Sequence, residues 1–248
     1  MSARLADTLA WLDGWLLQHA PPIHAALRPG ATDSQLDTLE VILGRHLPPA
    51  FRALYRWHDG QDQFVGGVFG LKFEPLEGVR REWDSWQEIG AQYPGFNTDI
   101  PSVSHPAGAI RAAHTTPGWL GFLTDGGGNS VGLDLNPGPT GTAGQVITFG
   151  RAEEEKYVLA DSLDAFVREY AARLEHGRVS VEVLDGPDEE VWSLQLTDAQ
   201  GFSSADYSGL ADLFPASARP RPCGGADPGP PSPQRRHFAP RTGRILVS

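Results

Sequence analysis

Residues 119–151 of the chain, WLGFLTDGGGNSVGLDLNPGPTGTAGQVITFGR, decide its fold. Apolar residues fall there into three short runs, at 119–123, 131–135 and 146–149, and segments rich in glycine and proline separate the runs. Short apolar runs bounded by such turns are typical of β-strands. We therefore expect three consecutive strands that form an antiparallel meander.

The connection at 125–129 (DGGGN) contains three successive glycines, which adopt positive φ at little cost. Successive glycine amides also suit an anion, but neither a Lys-Ser/Thr pair nor a helix follows them. A nucleotide-binding loop is therefore disfavoured. A tight reversal between two strands is the preferred interpretation.

A metal-binding interpretation would use oxygen ligands from Asp59, Asp125, Asn129 and Asp134. The segment lacks the alternating acidic spacing and terminal glutamate of a calcium loop, and the eight histidines show no paired ligand spacing. We expect instead that Asp125 and Asn129 hydrogen-bond within their own turn.

The flanking sequence predicts helices around this meander. A capping-box pattern at Thr32 and Gln35 begins one helix, which Gly44 is placed to end, and Ser162 is placed to cap a later one. Other helices are expected from Leu5 to before Pro21, from 48 and over 77–92. Strands are expected within 64–73, at 156–160, and as a hairpin at 179–184 and 191–196, whereas 96–117 is expected to be a long loop with a helical turn at 107–113.

The order of short motifs across the chain resembles one known family. The matching pieces are Leu39-Glu40, Leu43-Gly44, Leu47-Pro48-Pro49, YRWHDG at 55–60, Trp119, DGGGN at 125–129, Leu133-Asp134-Leu135, Gly141, GQVI at 144–147 and ADSL at 160–163. This series is similar to that of the SUKH superfamily, the Smi/Knr cell-wall-regulator-like domains. The resemblance covers residues 5–176.

The resemblance implies an α+β fold with a mostly antiparallel central sheet that helices cover on one side. We assign residues 1–200 to one such domain, including the C-terminal hairpin at 178–197. Residues 201–248 are rich in Pro, Gly, Ser and Arg, and such composition is typical of a disordered tail. A basic arm that binds RNA or membranes is the sharper alternative for this tail.

Composition narrows the classes of partner. The formal charge of −11 disfavours nucleic acid and anionic membranes, which basic surfaces bind. Among partners it favours a basic protein, although solubility alone is the preferred explanation of such a charge. A single cysteine, Cys223, excludes an internal disulfide, and we find neither a signal-peptide core nor an apolar stretch of the ~20 residues that span a bilayer. We expect a cytoplasmic protein.

The resemblance implies a binding role. Many bacterial members neutralise polymorphic toxins, often nucleases, and fungal members coordinate cell-wall synthesis with signalling. Our first hypothesis is an immunity protein that occludes a basic toxin domain, and the alternative is a housekeeping regulator or scaffold. The expected partner-binding residues are Glu40, Trp57, Asp59, Gly60, Trp119, Asp125, Gly126, Asn129, Asp134 and Gln145.

Catalysis is the least favoured hypothesis. Residues 128–132 (GNSVG) match the G-x-S-x-G pattern, but the element after the glycines is expected to be a strand and not the helix that follows a nucleophile elbow, and Cys223 lies in the tail. A hydrolase would need carboxylates at positions 40, 59, 125 and 134 to converge in space. We expect a protein that is not an enzyme, and neither a cofactor, a metal nor an oligomeric state follows from the sequence.

Overall fold

The computed structural model describes residues 3–62, 67–97, 102–151, 154–185, 190–197, 210–214 and 244–245. A six-stranded sheet lies at its centre. The strands are β1 (Lys72–Phe73), β2 (Val103–His105), β3 (Trp119–Thr124), β4 (Asn129–Asp134), β5 (Gln145–Gly150) and β6 (Glu155–Ala160). Their order is β1-β3-β4-β5-β6-β2, and every pair is antiparallel except the parallel pair of β2 and β6. The predicted meander is confirmed as β3, β4 and β5.

Six helices accompany the sheet: α1 (Ala3–His19), α2 (Pro21–Ala25), α3 (Asp33–Leu43), α4 (Pro49–Trp57), α5 (Leu76–Gln92) and α6 (Leu163–Glu175). The predicted caps are confirmed. Thr32 and Gln35 form a reciprocal capping box on α3, Gly44 ends α3 with φ of 63°, and the Ser162 hydroxyl accepts from the amide of Ala165 at the start of α6.

The main hydrophobic core lies between the helices and one face of the sheet. Phe122 of β3 packs edge-on against Phe166 of α6, and Phe51 and Tyr55 of α4 are fully buried beside Phe73. Apolar side chains recur at helical spacing on α1, α4 and α6, so burial of those faces fixes the helices on the sheet. The predicted α+β class, with helices covering an antiparallel sheet, is confirmed.

The long segment before β3 covers part of the other sheet face. Ala109, Ile110 and Ala113 form a second buried cluster with side chains from the strands, namely Trp119, Ile147, Phe149 and Val158. The segment contains β2 and a series of turns and bends, so the helical turn predicted at 107–113 was wrong. Its apolar residues are spaced to reach the sheet and not to line one side of a helix.

The strand pair predicted within 64–73 differs from the structure. Residues 64–66 lie outside the described residues, 68 and 69 form a turn, and only Lys72–Phe73 is a strand. Glycine explains the turn, because a Cβ at Gly67 would lie 1.6 Å from the carbonyl oxygen of Leu71 and Gly70 has φ of 79°.

Three elements follow α6. The predicted hairpin is confirmed as β7 (Val179–Asp185) and β8 (Glu190–Leu196), and β7 also pairs with β9 (Arg244–Ile245). The short helix α7 (Leu210–Leu213) precedes Phe214, which stacks on Phe166 of the main core. The predicted tail beyond residue 201 lies mostly outside the described residues; α7 and β9 are the described parts, and α7 supplies buried apolar side chains.

Among the described residues, no helix is both long and apolar enough to cross a membrane.

Candidate functional site

A cleft of about 500 Å³ opens between α5 and the β3–β4 hairpin. Two carboxylates, Glu74 and Glu82, line it together with the apolar side chains of Trp86 and Ile89. Glu74 follows β1 directly, and Glu82 lies two turns into α5. We call this the α5–hairpin cleft.

The backbone amide and carbonyl of Glu74 are both hydrogen-bonded, but only one of its two carboxylate oxygens has a partner among the described residues. Its amide donates to the carbonyl of Phe122 at 2.9 Å, and its carbonyl accepts from the Tyr55 hydroxyl at 2.8 Å. Oε1 pairs with the ammonium of Lys72 at 3.0 Å, whereas Oε2 is buried and has no hydrogen-bond partner among the described residues. Buried polar atoms are normally paired, so this oxygen requires an explanation.

Glu82 lies opposite, against the β3–β4 pair. Its Oε1 accepts from the Ser130 hydroxyl at 2.6 Å and, more weakly, from the Trp86 indole at 3.5 Å. Burial raises the pKa of Glu82 above its usual range; these two bonds oppose that shift, and the charges of Glu74 and Asp125 add to it. Glu82 is therefore a carboxylate in an environment that disfavours its charge.

Two glycines make the space that the carboxylates occupy. A Cβ at Gly78 would lie 2.0 Å from Oε2 of Glu74, and a Cβ at Gly121 would lie 2.4 Å from Oε2 of Glu82. No real Cβ atom approaches a neighbour so closely, so any side chain at either position would displace a carboxylate. The cleft thus depends on small residues in both of its walls.

The rim of the cleft is cationic. Arg81 extends from α5 with two thirds of its side chain exposed, and Arg151 is exposed beside the hairpin, where its amide donates to the carbonyl of Gly128. Lys72 completes the rim from β1. A carboxylate floor under a guanidinium and ammonium rim can hold a ligand that carries both signs of charge.

The residues predicted as binding residues lie in several separate places, and most of them hold the fold. Only Gly126 lines the α5–hairpin cleft itself. Asp125 builds the adjacent turn: its carboxylate accepts from the amides of Gly127 and Asn129 and from the side-chain amide of Asn129. The prediction that Asp125 and Asn129 hydrogen-bond within their own turn is confirmed.

A second cluster lies at the opposite end of β4. Asp134 is fully buried, and its carboxylate accepts from Trp119 Nε1 at 3.0 Å, Gln145 Nε2 at 2.9 Å and the amide of Asn136 at 2.9 Å. Gln145 Nε2 also donates to the carbonyl of Ala109, which ties the long segment to the sheet. Burial raises the pKa of Asp134, and these donors oppose the shift.

Asp59 and Gly60 form a corner at the beginning of α5. The Asp59 carboxylate accepts from the amide of Leu76 at 2.7 Å, so it satisfies an N-terminal amide of α5 where the N-cap residue Pro75 makes no side-chain bond. Gly60 has φ of 72°, and a Cβ there would lie 2.3 Å from the backbone nitrogen of Pro75. Both residues therefore position the helix wall of the cleft.

Glu40 and Trp57 are distant from the cleft. Glu40 accepts from the amide of Leu47, from His46 and from Arg52, and these bonds lower its pKa to about 2. Trp57 ends α4 and packs against the main core, and its indole nitrogen is buried without a partner among the described residues.

The structure does not bring the four carboxylates of the hydrolase hypothesis together. Asp125 precedes β4 and Asp134 ends it, so they are separated by roughly the length of a six-residue strand, about 20 Å. Asp59 and Glu40 each bind partners in other parts of the fold. Among the described residues, no three His, Cys, Asp or Glu side chains are grouped to hold a metal ion.

Comparison with known proteins agrees with this architecture. The model of the SMI1/KNR4 family (SUKH-1) matches residues 30–169, more than half of the chain. The chain belongs to this family. The matched range includes both carboxylates of the cleft and both of the glycines that accommodate them.

Three fungal relatives of this SMI1/KNR4 member are named as regulators. It is 32% identical over 200 residues to the cell wall biosynthesis/cell cycle regulator smi1 of Schizosaccharomyces pombe, 28% over 204 residues to the cell wall assembly regulator SMI1 of Saccharomyces cerevisiae, and 28% over 211 residues to the glucan synthesis regulatory protein of Neurospora crassa. The matches cover 73%, 68% and 72% of this chain, but only 40% of each relative.

Sequence reasoning missed Glu74 and Glu82, the carboxylates that define the cleft in this SMI1/KNR4 domain. Glu82 lies in a helix crowded with charged residues, where another glutamate is expected to face solvent. One available signal was Gly78, because a glycine four residues before Glu82 interrupts a helix at a position on the same face. That Gly121 of β3 makes room for the second carboxylate, as Gly78 does for the first, could be seen only in the folded structure.

Proposed function

We propose that this chain is a regulatory protein-binding module of the cell-wall-regulator kind, which acts by binding and not by catalysis. The family match carries the proposal, since the relatives of this chain described above are named as regulators of cell-wall or glucan synthesis. We therefore prefer the housekeeping regulator, which was the alternative in the sequence analysis, to the immunity protein of our first hypothesis. The immunity interpretation and a cytoplasmic location remain predictions.

The α5–hairpin cleft supports a binding role. It combines apolar side chains, Trp86 and Ile89, with the charged groups of Glu74 and Arg151 in one concave surface. Such a combination suits recognition, because apolar contact supplies affinity and paired charges select the partner. A buried carboxylate oxygen without a donor reduces stability unless a partner satisfies it.

The partner is proposed to be a protein that offers basic groups. The formal charge of the chain is −11, and electrostatic attraction of a basic surface would speed association. This expectation is the same for a regulator and for an immunity protein, so charge does not distinguish the two roles. The identity of the bound protein does.

Affinity capture from native cells tests the proposal. The tagged chain replaces its untagged copy, bound proteins are identified by mass spectrometry at moderate salt, and each is titrated calorimetrically against the purified chain. We expect a stoichiometric complex with a protein of cell-wall synthesis or its signalling. A captured toxin that loses activity on binding would favour the immunity role instead, and turnover of any substrate by the chain alone would overturn the binding proposal.

The cleft is tested in the same experiment with paired variants. Glu74→Gln and Glu82→Gln alter the cleft with little change of shape, whereas Glu88→Gln alters an exposed residue of the same helix outside it. We expect the first two variants to lose the captured partner and the third to retain it. Equal retention by all three would place the binding surface elsewhere.

A further inference from the structure

We propose that the α5–hairpin cleft accepts the guanidinium group of an arginine from the partner protein, with acidic residues beside that arginine contacting the rim. This inference rests on the proposed function, because it specifies the chemistry by which the same site recognises its partner.

The first argument is an unmet demand for a hydrogen-bond donor. Glu74 is 8% exposed, lines the cleft, and has an Oε2 atom without a partner among the described residues. Lys72 serves only Oε1, at 3.0 Å. A further donor entering the cleft would satisfy the remaining oxygen once the carboxylate turns from Gly78 toward the cleft.

The second argument is the shape of the donor. The carboxylates of Glu74 and Glu82 approach the cleft from β1 and from α5, and each lies against a glycine. A guanidinium has five N–H groups in one planar fork and can bond two carboxylates at once. An ammonium is a compact point charge that lacks this planar fork, so arginine fits better than lysine.

The third argument is the wall along which the side chain would lie. Trp86 and Ile89 line the cleft one helical turn and two turns beyond Glu82, and neither is fully exposed. They can cover the aliphatic part of an inserted arginine while its charged end reaches the carboxylates. On the opposite hairpin Gly126 and Gly128 add no side chain to the lining.

The cations of the rim determine the neighbours of that arginine. Arg81 and Arg151 would repel a guanidinium, but both are exposed, so solvent and salt screen them. The charge of Lys72 is offset by its own pair with Glu74 Oε1. They are placed to contact acidic residues on either side of the inserted side chain. Burial raises the pKa of Glu82 and the charges of Glu74 and Asp125 raise it further, so a cation placed beside these carboxylates is favoured.

The test uses a defined probe and the full chain. The peptide acetyl-Glu-Arg-Glu-amide is titrated into the ¹⁵N-labelled protein, and the shifts of the Gly121, Gly128 and Ser130 amides and of the Trp86 indole are followed by NMR. Two matched peptides replace arginine by its neutral isostere citrulline, or both glutamates by glutamine. We expect saturable binding, at least tenfold weaker with citrulline and severalfold weaker with the glutamine flanks.

Variants of the protein locate the contact. Glu74→Gln and Glu82→Gln are each expected to weaken binding of the arginine peptide at least tenfold, and Glu88→Gln is expected to leave it unchanged. Gly78→Ala tests the contact with Glu74 in a second way, because its methyl group would displace the Glu74 carboxylate without removing any charge. Thermal unfolding and the unperturbed NMR spectrum establish that each variant is folded.

The inference and the proposed function fail in different ways. Equal binding of the arginine and citrulline peptides, absence of saturable shifts at the cleft, or unchanged binding by Glu74→Gln and Glu82→Gln would overturn the inference. Retention of a captured regulatory partner by those variants would also overturn it and leave the proposed function intact. Arginine-dependent shifts in a chain that captures no protein from cells would support the inference and reject the proposed function.

Discussion

Buried carboxylates at the two ends of strand β4 have opposite surroundings. Asp134, at one end, accepts three hydrogen bonds from Trp119, Gln145 and the amide of Asn136. In the α5–hairpin cleft, near the other end, Glu74 leaves one oxygen unpaired. Burial raises the pKa of Asp134 and also that of Glu82 in the cleft, so the pKa shift does not distinguish the two regions.

The two regions differ in how completely their buried carboxylates are hydrogen-bonded. A buried carboxylate whose donors all come from its own chain holds that chain together, and its removal leaves those donors unpaired. A buried carboxylate with an unpaired oxygen contributes less to holding the chain together, and that oxygen can still accept a hydrogen bond from another molecule. By this criterion the Asp134 cluster is structural and the cleft is the proposed binding site, which can be tested by substitution.

The largest effect is expected at Asp134. Replacing it by alanine in Asp134→Ala removes the acceptor of three donors, two of them buried, and should lower the free energy of unfolding by about 3–5 kcal/mol. Urea denaturation at pH 7 measures this change, with Glu88→Ala as an exposed control. A loss below about 1 kcal/mol would contradict the structural role, since that is the size of one ordinary hydrogen bond.

A smaller loss is expected at the corner that positions α5. In Gly60→Ala a Cβ would meet the nitrogen of Pro75 at positive φ, so the free energy of unfolding should fall by about 2–3 kcal/mol.

Gly14→Ala is the matched control for this change. Gly14 lies in α1 with no heavy atom within 4 Å of the added Cβ, and alanine there should raise the free energy of unfolding by about 0.5–1 kcal/mol. Equal effects of the two substitutions, measured in the same urea titration, would show that the corner does not constrain the helix.

Local sequence patterns were sufficient to predict most of the elements. Apolar runs between glycine-rich turns gave the three central strands, and side-chain caps at Thr32 and Ser162 marked the helix starts correctly. These features are determined by residues close together in the chain, so a single sequence reveals them.

The cleft could not be predicted in the same way because its parts meet only in the folded chain. Glu82 and Ser130 hydrogen-bond across 48 residues, and Gly121 accommodates Glu82 from a strand that starts long after α5 ends. Of the ten residues that motif order selected, most are buried or turn-forming and have bonds that position the backbone. Motif order identified residues that define the fold, whereas the unpaired carboxylate can be recognised only in the three-dimensional structure.

Glu40 offers an intermediate case, a fully bonded carboxylate nearer the surface. The amide of Leu47, followed by His46 and Arg52, lowers its pKa from 4.5 to about 2. A lowered pKa in the folded state means that the stabilisation is present above pH 4.5 and is lost as the pH falls toward 2.

The variant Glu40→Gln should therefore be less stable than the parent at pH 7, by about 1 kcal/mol after solvent screening, and the difference should shrink between pH 4.5 and pH 2. Urea denaturation across that range measures it. A difference independent of pH would mean that charge at Glu40 contributes nothing.

The smallest change, with the opposite sign, is expected at Glu82. Its pKa is raised in the folded state, so the folded protein holds the proton more tightly and loses stability as the pH rises past 4.5. Glutamine in Glu82→Gln keeps an acceptor for Ser130 and removes a partly buried charge, so at pH 7 the free energy of unfolding should stay unchanged or rise by up to about 1 kcal/mol.

Asp134→Asn makes the matching change in the other region, and the contrast between the two amides sharpens the comparison. Its new side-chain N–H group would face Gln145 Nε2, itself a donor, so this variant should lose about 1–2 kcal/mol at pH 7 although the pKa of Asp134 is also raised. Urea denaturation at pH 4 and pH 7 measures both variants. Equal losses would mean that Glu82, like Asp134, is held for the fold, and the cleft would then no longer stand apart as a binding site.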